Sequence, residues 1–152
     1  MFKNNFIILL ILTSSITNAQ EVANCSKVIE MHSQKWKFIV EQAILTDKEV
    51  DAVLPVFMEY EKNVWSQHAK KRGFFNNVER LEKSSKPNYS QLNDQYLEFE
   101  ITQAQLFKIY HLKLKKLLSP ETLFNYYKAE RSFKRKLLHE MPNFQHRKAQ
   151  GN

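Results

Sequence analysis

The sequence contains very few of the residues that end helices or form tight turns. Only two of its 152 residues are Gly and four are Pro. A loop that cradles phosphate groups needs several Gly so that its backbone can approach closely, which excludes a glycine-rich nucleotide-binding loop. A β-sandwich or β-barrel needs many turns rich in Gly, Pro and Asn. We therefore expect an all-α protein of long helices joined by few connections.

The chain also has a single cysteine, Cys25, so it cannot form an internal disulfide. The thiol is either free or paired with another molecule, and the sequence leaves both open. Two His that bind a metal from one helix face are three or four residues apart, and no two of the five His are that close. Cys25, Met31 and His32 carry donor atoms that copper accepts. We nevertheless expect no metal site.

No residue pattern predicts catalysis. Neither a Ser nor the Cys lies in a nucleophile motif. General acid–base catalysis needs convergent carboxylates or a His in a pocket. Glu59 and Glu61 are two residues apart, as are Glu98 and Glu100, so neither pair shares a helix face. We expect a protein that is not an enzyme and that uses no cofactor.

The N-terminal residues have the pattern of a secretory signal peptide. Lys3 supplies a positive charge, residues 6–12 are entirely apolar, and Ala19 is a small residue at the exit. A membrane anchor is the alternative, but a transmembrane helix needs about 20 apolar residues. We predict that residues 1–19 are a signal peptide cleaved after Ala19.

Charge is unevenly distributed along the remaining chain. Residues 20–107 carry a net charge of −2, whereas residues 108–152 carry +8. Such asymmetry indicates an acidic partner, although a solvated basic helix face is the alternative. Because an exported protein rarely meets nucleic acid, we expect anionic lipid, acidic unfolded chains or a partner protein instead.

Helix periodicity and capping signals divide the chain into helices. The patterns predict helices over 26–41, from Thr46 to Gly73, over 74–83, from the loop at 84–88 to Leu118, and from Ser119 to Met141. Asn88 and Ser90 are alternative caps of the long helix. We expect one all-helical domain over 20–142, an elongated bundle of about four helices with long helical hairpins, and a flexible basic tail over 143–152.

Two helix starts are especially clear. Thr46 and Glu49 form a capping box, in which each side chain bonds the other residue's backbone N–H. Ser119 caps the last helix and Pro120 takes its first position. Pro55 lies inside the second predicted helix, where we expect it to kink the axis.

The last predicted helix contains cations beside apolar side chains. This mixture can attract acidic segments at long range and hold apolar groups at short range, although a core face with solvated edges is the alternative. The residues are Phe124, Tyr127, Lys128, Arg131, Lys134 and Arg135. We take these six as the candidate surface for a client or partner protein.

Glu130 lies among apolar residues of the same helix. A half-buried carboxylate needs a partner, and Arg80 or a Lys from a neighbouring helix could supply it. We expect a structural ion pair at Glu130.

Four short stretches resemble one known group of proteins. They are Leu45-Thr46-x-x-Glu49, Leu54-Pro55-Val56-Phe57-x-Glu59-Tyr60, Lys116-Leu117-Leu118-Ser119-Pro120-Glu121 and Tyr127-x-Ala129-Glu130-x-x-Phe133-Lys134-Arg135-x-Leu137-Leu138. The chain resembles the exported Spy/CpxP-type proteins with Leu-Thr-x-x-Gln motifs, and especially those labelled sensors of extracytoplasmic-function sigma factors. It departs from them where Glu49 and Thr122 replace the Gln of the motif.

This resemblance implies a periplasmic, stress-related, all-helical protein that is often a dimer. Some such proteins bind unfolded clients on a concave helical surface, and others modulate signalling proteins. We expect an ATP-independent chaperone that holds unfolded clients. The alternative is a regulator of an envelope sigma/anti-sigma or two-component protein, and attachment to an anionic membrane surface is a third expectation.

Overall fold

The computed structural model describes the backbone of residues 8–84 and 86–140 and the side chains of residues 26–84 and 86–139. It contains four helices: α1 (Ile8–Ala43), α2 (Asp47–Ser84), α3 (Tyr89–Leu114) and α4 (Pro120–Glu140). Over these ranges there is no strand, which confirms the all-α prediction. Residues 8–19 begin α1, while the predicted tail lies outside the described residues. The signal peptide and its cleavage stay predictions.

No helix in the part of the chain that the structure describes is long and apolar enough to span a membrane.

The predicted capping box is present at the start of α2. The Thr46 N–H donates to Glu49 Oε2 at 2.9 Å, and the Glu49 N–H donates to Thr46 Oγ1 at 3.4 Å. Just before it, Ile44 has a positive φ of 54° and is 85 % exposed. A left-handed residue commonly ends a helix, and here it allows the Leu45 N–H to reach the Val40 carbonyl. A short turn therefore reverses the chain between α1 and α2.

The starts of α3 and α4 are also capped by side chains. Asn88 Oδ1 accepts from the Gln91 N–H, so Asn88 rather than Ser90 caps α3. Ser119 Oγ accepts from the Thr122 N–H at 3.1 Å, as predicted. The Ser119 and Thr122 hydroxyls are 2.8 Å apart, so Thr122 makes a polar contact at the position where the resembling proteins have Gln.

Three predicted helix boundaries are wrong. The first helix, predicted over 26–41, already includes residues 8–25. α2 passes through Gly73 and ends at Ser84, so there is no separate helix over 74–83. A helical Gly costs about 1 kcal/mol relative to Ala, which packing on both sides of it can offset. Phe74, next to Gly73, packs against Phe99 of α3. The structure ends α3 at Leu114 rather than Leu118, and Leu117 donates to the Leu114 carbonyl in the turn that follows.

The hydrophobic core lies where one end of each helix meets the others. It is built from the C-terminal ends of α1 and α3 and the N-terminal parts of α2 and α4. Its central residues are Ile39, Ala43, Val53, Phe57, Tyr110, Leu114, Leu118, Leu123, Tyr126 and Ala129. The hydroxyls of Tyr110 and Tyr126 are 2.5 Å apart, which satisfies both polar groups inside the core.

Away from this core the helices form two arms. Helices α1 and α4 pack along each other as one arm, and α2 and α3 form the other, while direct contact between α1 and α2 is limited. The outer part of the α2–α3 arm is held by aromatic pairs such as Phe75–Tyr96 and by the Lys71–Glu100 ion pair. At 38 residues, α2 is about 57 Å long. The result is the predicted bundle with long helical hairpins.

We expect Ser119→Ala to lower the free energy of unfolding by about 1 kcal/mol, because α4 would lose its N-cap. Urea denaturation followed by circular dichroism measures the change. Ser66→Ala, at an exposed position inside α2, is the control and should leave stability within about 0.5 kcal/mol. Equal stability of the two variants would contradict the capping role.

Candidate functional site: the cleft between the arms

The two arms enclose an open cleft above the core, which we call the inter-arm cleft. Its volume is about 630 Å³. All four helices contribute to its lining, which comprises Met31, His32, Lys35, Tyr60, Glu61, Val64, Trp65, His68, Phe107, Tyr127, Glu130, Arg131, Phe133, Lys134 and Leu137. A cleft of this size falls in the range of ligand-binding sites and is the main candidate site.

An ionic cluster forms the floor of the cleft. The Lys35 ammonium lies 2.7 Å from Glu61 Oε1 and 3.1 Å from Glu130 Oε1. His32 Nε2 lies 3.5 Å from the other oxygen of Glu61. His32 and Glu61 are buried, and the side chains of Lys35 and Glu130 are less than one fifth exposed. One ammonium group of α1 therefore links α2 to α4.

The helices position these groups by simple spacing. His32 and Lys35 are three residues apart on α1, so they lie on one face of that helix. Their neighbour Trp36 packs against Phe57 at a ring distance of 5.0 Å, which fixes the rotation of α1 against α2. The apolar anchoring of α1 thus turns both polar side chains toward Glu61.

The two carboxylates share one ammonium, and this sharing alters the ionisation of the cluster. Burial raises the pKa of Glu130; the Lys35 ammonium lowers it, and the Glu61 carboxylate adds to the increase. The net effect is a raised pKa for Glu130. Burial alone would lower the pKa of Lys35, but the Glu130 and Glu61 carboxylates raise it above its ordinary value. The cluster therefore favours a charged Lys35 and the protonated form of Glu130.

Aromatic side chains form the walls next to this floor. Phe107 of α3 lies 5.8 Å from Tyr127 of α4, and Tyr60 of α2 stacks on Tyr110 at 4.0 Å. The Tyr127 hydroxyl is 2.8 Å from His111 Nδ1. Burial, then the nearby Glu130 carboxylate, raises the pKa of Tyr127 to about 12. Tyr127 therefore stays a neutral hydrogen-bonding group at physiological pH.

The structure divides the six residues predicted for client binding. Tyr127, Arg131 and Lys134 line the inter-arm cleft. Phe124, Lys128 and Arg135 do not; Phe124 is 66 % exposed, with the Lys128 ammonium over its ring. A helix turns about 100° per residue, so positions 127, 131 and 134 lie within about 60° of one another, and the other three lie on the neighbouring side of α4, about 70° further round. The six residues therefore occupy two adjacent sides of α4, and one of these sides lines the cleft.

The structure also places the motif residues. Leu45 and Leu118 pack in or against the core, and Thr46, Glu49, Ser119 and Pro120 form the starts of α2 and α4. Pro55 is an exposed residue inside α2, and its expected kink stays a prediction. Of the two alternative partners for Glu130, the structure has the Lys, which is Lys35, while Arg80 bonds to Asn77.

Sequence reasoning missed the α1 and α2 side of the cleft. Lys35, Glu61 and Trp65 are central to it, yet each looks like an ordinary residue of an amphipathic helix. One local signal could have indicated it: His32 and Lys35 lie on the same helix face as the apolar residues of α1, which is unusual for polar side chains. The partners could not be found in this way because they lie on other helices.

Among the described residues, no group of three or more His, Cys, Asp and Glu is arranged to hold a metal ion. The cleft instead combines aromatic walls, a charged floor, and cations from Arg131 and Lys134 at its edge. Such a surface can hold both apolar groups and polar groups of a polypeptide.

We expect Lys35→Met to lower the free energy of unfolding by about 3–5 kcal/mol, because two buried carboxylates would lose their shared cation. Urea denaturation at neutral pH measures this. Lys37→Met, at an exposed position two residues away, is the matched control and should change stability by less than about 1 kcal/mol. Adding Glu61→Gln and Glu130→Gln to Lys35→Met should restore part of the loss.

The raised pKa of Glu130 predicts a pH dependence of stability. The folded protein binds this proton more tightly than the unfolded chain, so the free energy of unfolding falls as pH rises from 4.5 through the raised pKa of Glu130. Glu130→Gln should flatten this decline, and exposed Glu98→Gln should not. Denaturation curves between pH 4.5 and 7.5 measure the slopes. Equal slopes in both variants would contradict the role of Glu130.

Comparisons of the chain with family models, with curated proteins and with solved structures give no match.

Proposed function

We propose that this protein is an exported, ATP-independent binding protein that holds unfolded segments of other proteins in the inter-arm cleft. The main support for this proposal is the composition of that cleft, in which exposed aromatic side chains lie beside cations on an open surface. The sequence resemblance to Spy/CpxP-type proteins and the predicted signal peptide support the periplasm as its location.

The wall residues suit the capture of apolar segments. Trp65 and Phe107 are 40 % and 45 % exposed although both line the cleft. Clustered exposed apolar side chains on a soluble protein commonly mark interaction sites. Burying them against a client removes apolar surface of both molecules from water, which favours binding.

The cations at the edge of the cleft add a longer-range attraction. Arg131 and Lys134 are exposed on α4 and face the same side as Tyr127. Exposed charges raise association rates more than they raise affinity. Weak contacts of this kind let a client dissociate and refold without an energy source.

Regulation of an envelope signalling protein is the alternative function. The observation that favours it is a second groove between α1 and α2, lined by residues that include Met58, Lys62 and Trp65, whose size and residue spacing fit a single helix. A regulator would bind one partner, whereas a chaperone would bind several unrelated unfolded proteins.

The test follows light scattering of two unrelated denatured proteins with and without this protein. We expect suppression of both aggregation reactions. The double variant Arg131→Glu/Lys134→Glu should need about tenfold more protein for equal suppression, because two attractive charges in the cleft become repulsive. Lys128→Glu/Arg135→Glu changes the same charges on the same helix, outside the cleft, and is the matched control.

Suppression should weaken in 0.5 M salt if the edge cations contribute. Absence of suppression at equimolar or higher dose would overturn the chaperone function. Equal losses in the two double variants would show that total charge matters and that the cleft does not.

A further inference from the structure

A second groove lies between α1 and α2, and we call it the α1–α2 groove; it shares Met31, His32 and Trp65 with the inter-arm cleft. Its volume is about 1200 Å³. It is lined by Lys27, Val28, Ile29, Met31 and His32 of α1 and by Met58, Glu59, Lys62, Trp65 and Arg72 of α2. Among the described residues, α1 and α2 make few direct contacts, which leaves room for the groove between them.

The α2 side of the groove has the residue spacing of a helix-packing seam. Met58, Lys62, Trp65, Ala69 and Arg72 follow one another at steps of four, three, four and three. This is the 3.5-residue repeat with which one helix packs against another. All five residues are exposed, since the opposite side of α2 packs against α3. In the part of the chain that the structure describes, the five side chains of the seam therefore stay exposed.

The size of the groove corresponds to a short helix. A helix about 10 Å wide that rises 1.5 Å per residue fills roughly 120 Å³ per residue. A groove of about 1200 Å³ thus has the volume of roughly ten residues, or three turns. The apolar side chains Val28, Ile29 and Met31 on the α1 side complete a surface for an apolar helix face.

The positive charge of the groove favours an acidic partner. Lys27 and Lys62 form no ion pair with any described residue, and Arg72 lies over the Trp65 ring at 5.9 Å. The acidic residue of the lining, Glu59, is already bonded to Lys113 at 2.5 Å. Three cations therefore remain to attract negative charge, and Lys62 and Arg72 lie along the helix seam.

We propose that the α1–α2 groove binds one amphipathic helix of about three turns from a partner protein, with its apolar face against Met58 and Trp65 and with acidic flanks toward Lys62 and Arg72. The proposal rests on the proposed polypeptide-binding function and gives it a partner chemistry. Both the residue spacing of the seam and the volume of the groove fit the known mode in which a groove binds an amphipathic helix.

Fluorescence anisotropy of labelled peptides with the purified protein tests this proposal. The first peptide is a 14-residue amphipathic helix with Leu on one face and Glu on the flanks. The second keeps the Leu and replaces each Glu by Lys, and the third scrambles the first. We expect the first peptide to bind about tenfold more tightly than either of the others at low salt, and less so in 0.5 M salt.

Charge-reversal variants locate the site. Lys62→Glu/Arg72→Glu should weaken binding of the acidic peptide about tenfold. Lys70→Glu/Lys83→Glu changes the same charges on the same helix outside the groove and should leave binding within about twofold. Circular dichroism checks that both variants keep their helices, which is expected because all four side chains are exposed.

Equal affinity for the acidic and basic peptides, or equal effects of the two double variants, would overturn the proposal. A second result would also overturn it: the unaltered protein is a dimer that binds no peptide, and Lys62→Glu/Arg72→Glu makes it a monomer. A second copy of the chain would then occupy the groove. If the peptides do not bind but unfolded proteins are still kept from aggregating, the groove proposal alone fails. If neither is observed, the proposed function fails as well.

Discussion

The ammonium group of Lys35 makes the contacts on which the geometry of the inter-arm cleft and of the α1–α2 groove depends. It bonds to Glu61 of α2 and to Glu130 of α4, so one side chain of α1 joins the two arms. A buried ion pair contributes little net stability, because removing charges from water offsets their attraction. Breaking it is costly, since the remaining charges stay buried. The cluster therefore restricts how the arms are placed more than it strengthens the fold.

The small core explains why the molecule has long exposed faces. Only one end of each helix enters it, and the arms beyond it are two helices thick at most. A two-helix arm cannot cover all of its apolar side chains, so residues such as Trp65 and Phe107 remain partly exposed. The same arrangement opens the inter-arm cleft and, next to it, the α1–α2 groove, and Trp65 lines both. Binding surfaces are thus a direct result of the bundle's shape.

Much of the fold could be predicted because its signals are local. The Thr46–Glu49 capping box and the Ser119 cap depend on residues three apart, and both are present. The predicted end at Gly73 was wrong because the propensity of one residue is smaller than the packing of Phe74 and its neighbours on α3. A helix end that depends on tertiary contacts cannot be predicted from the local sequence pattern.

The sequence by itself determined an all-α chain, the capped starts of α2 and α4, and the need of Glu130 for a cationic partner. Tertiary structure alone decided that the partner is Lys35, that Glu61 shares it, and that Tyr127, Arg131 and Lys134 face the cleft while Phe124, Lys128 and Arg135 do not. The physical reason is that capping and periodicity act within a few residues of one helix. The direction in which each helix face points depends instead on how distant helices pack around the core.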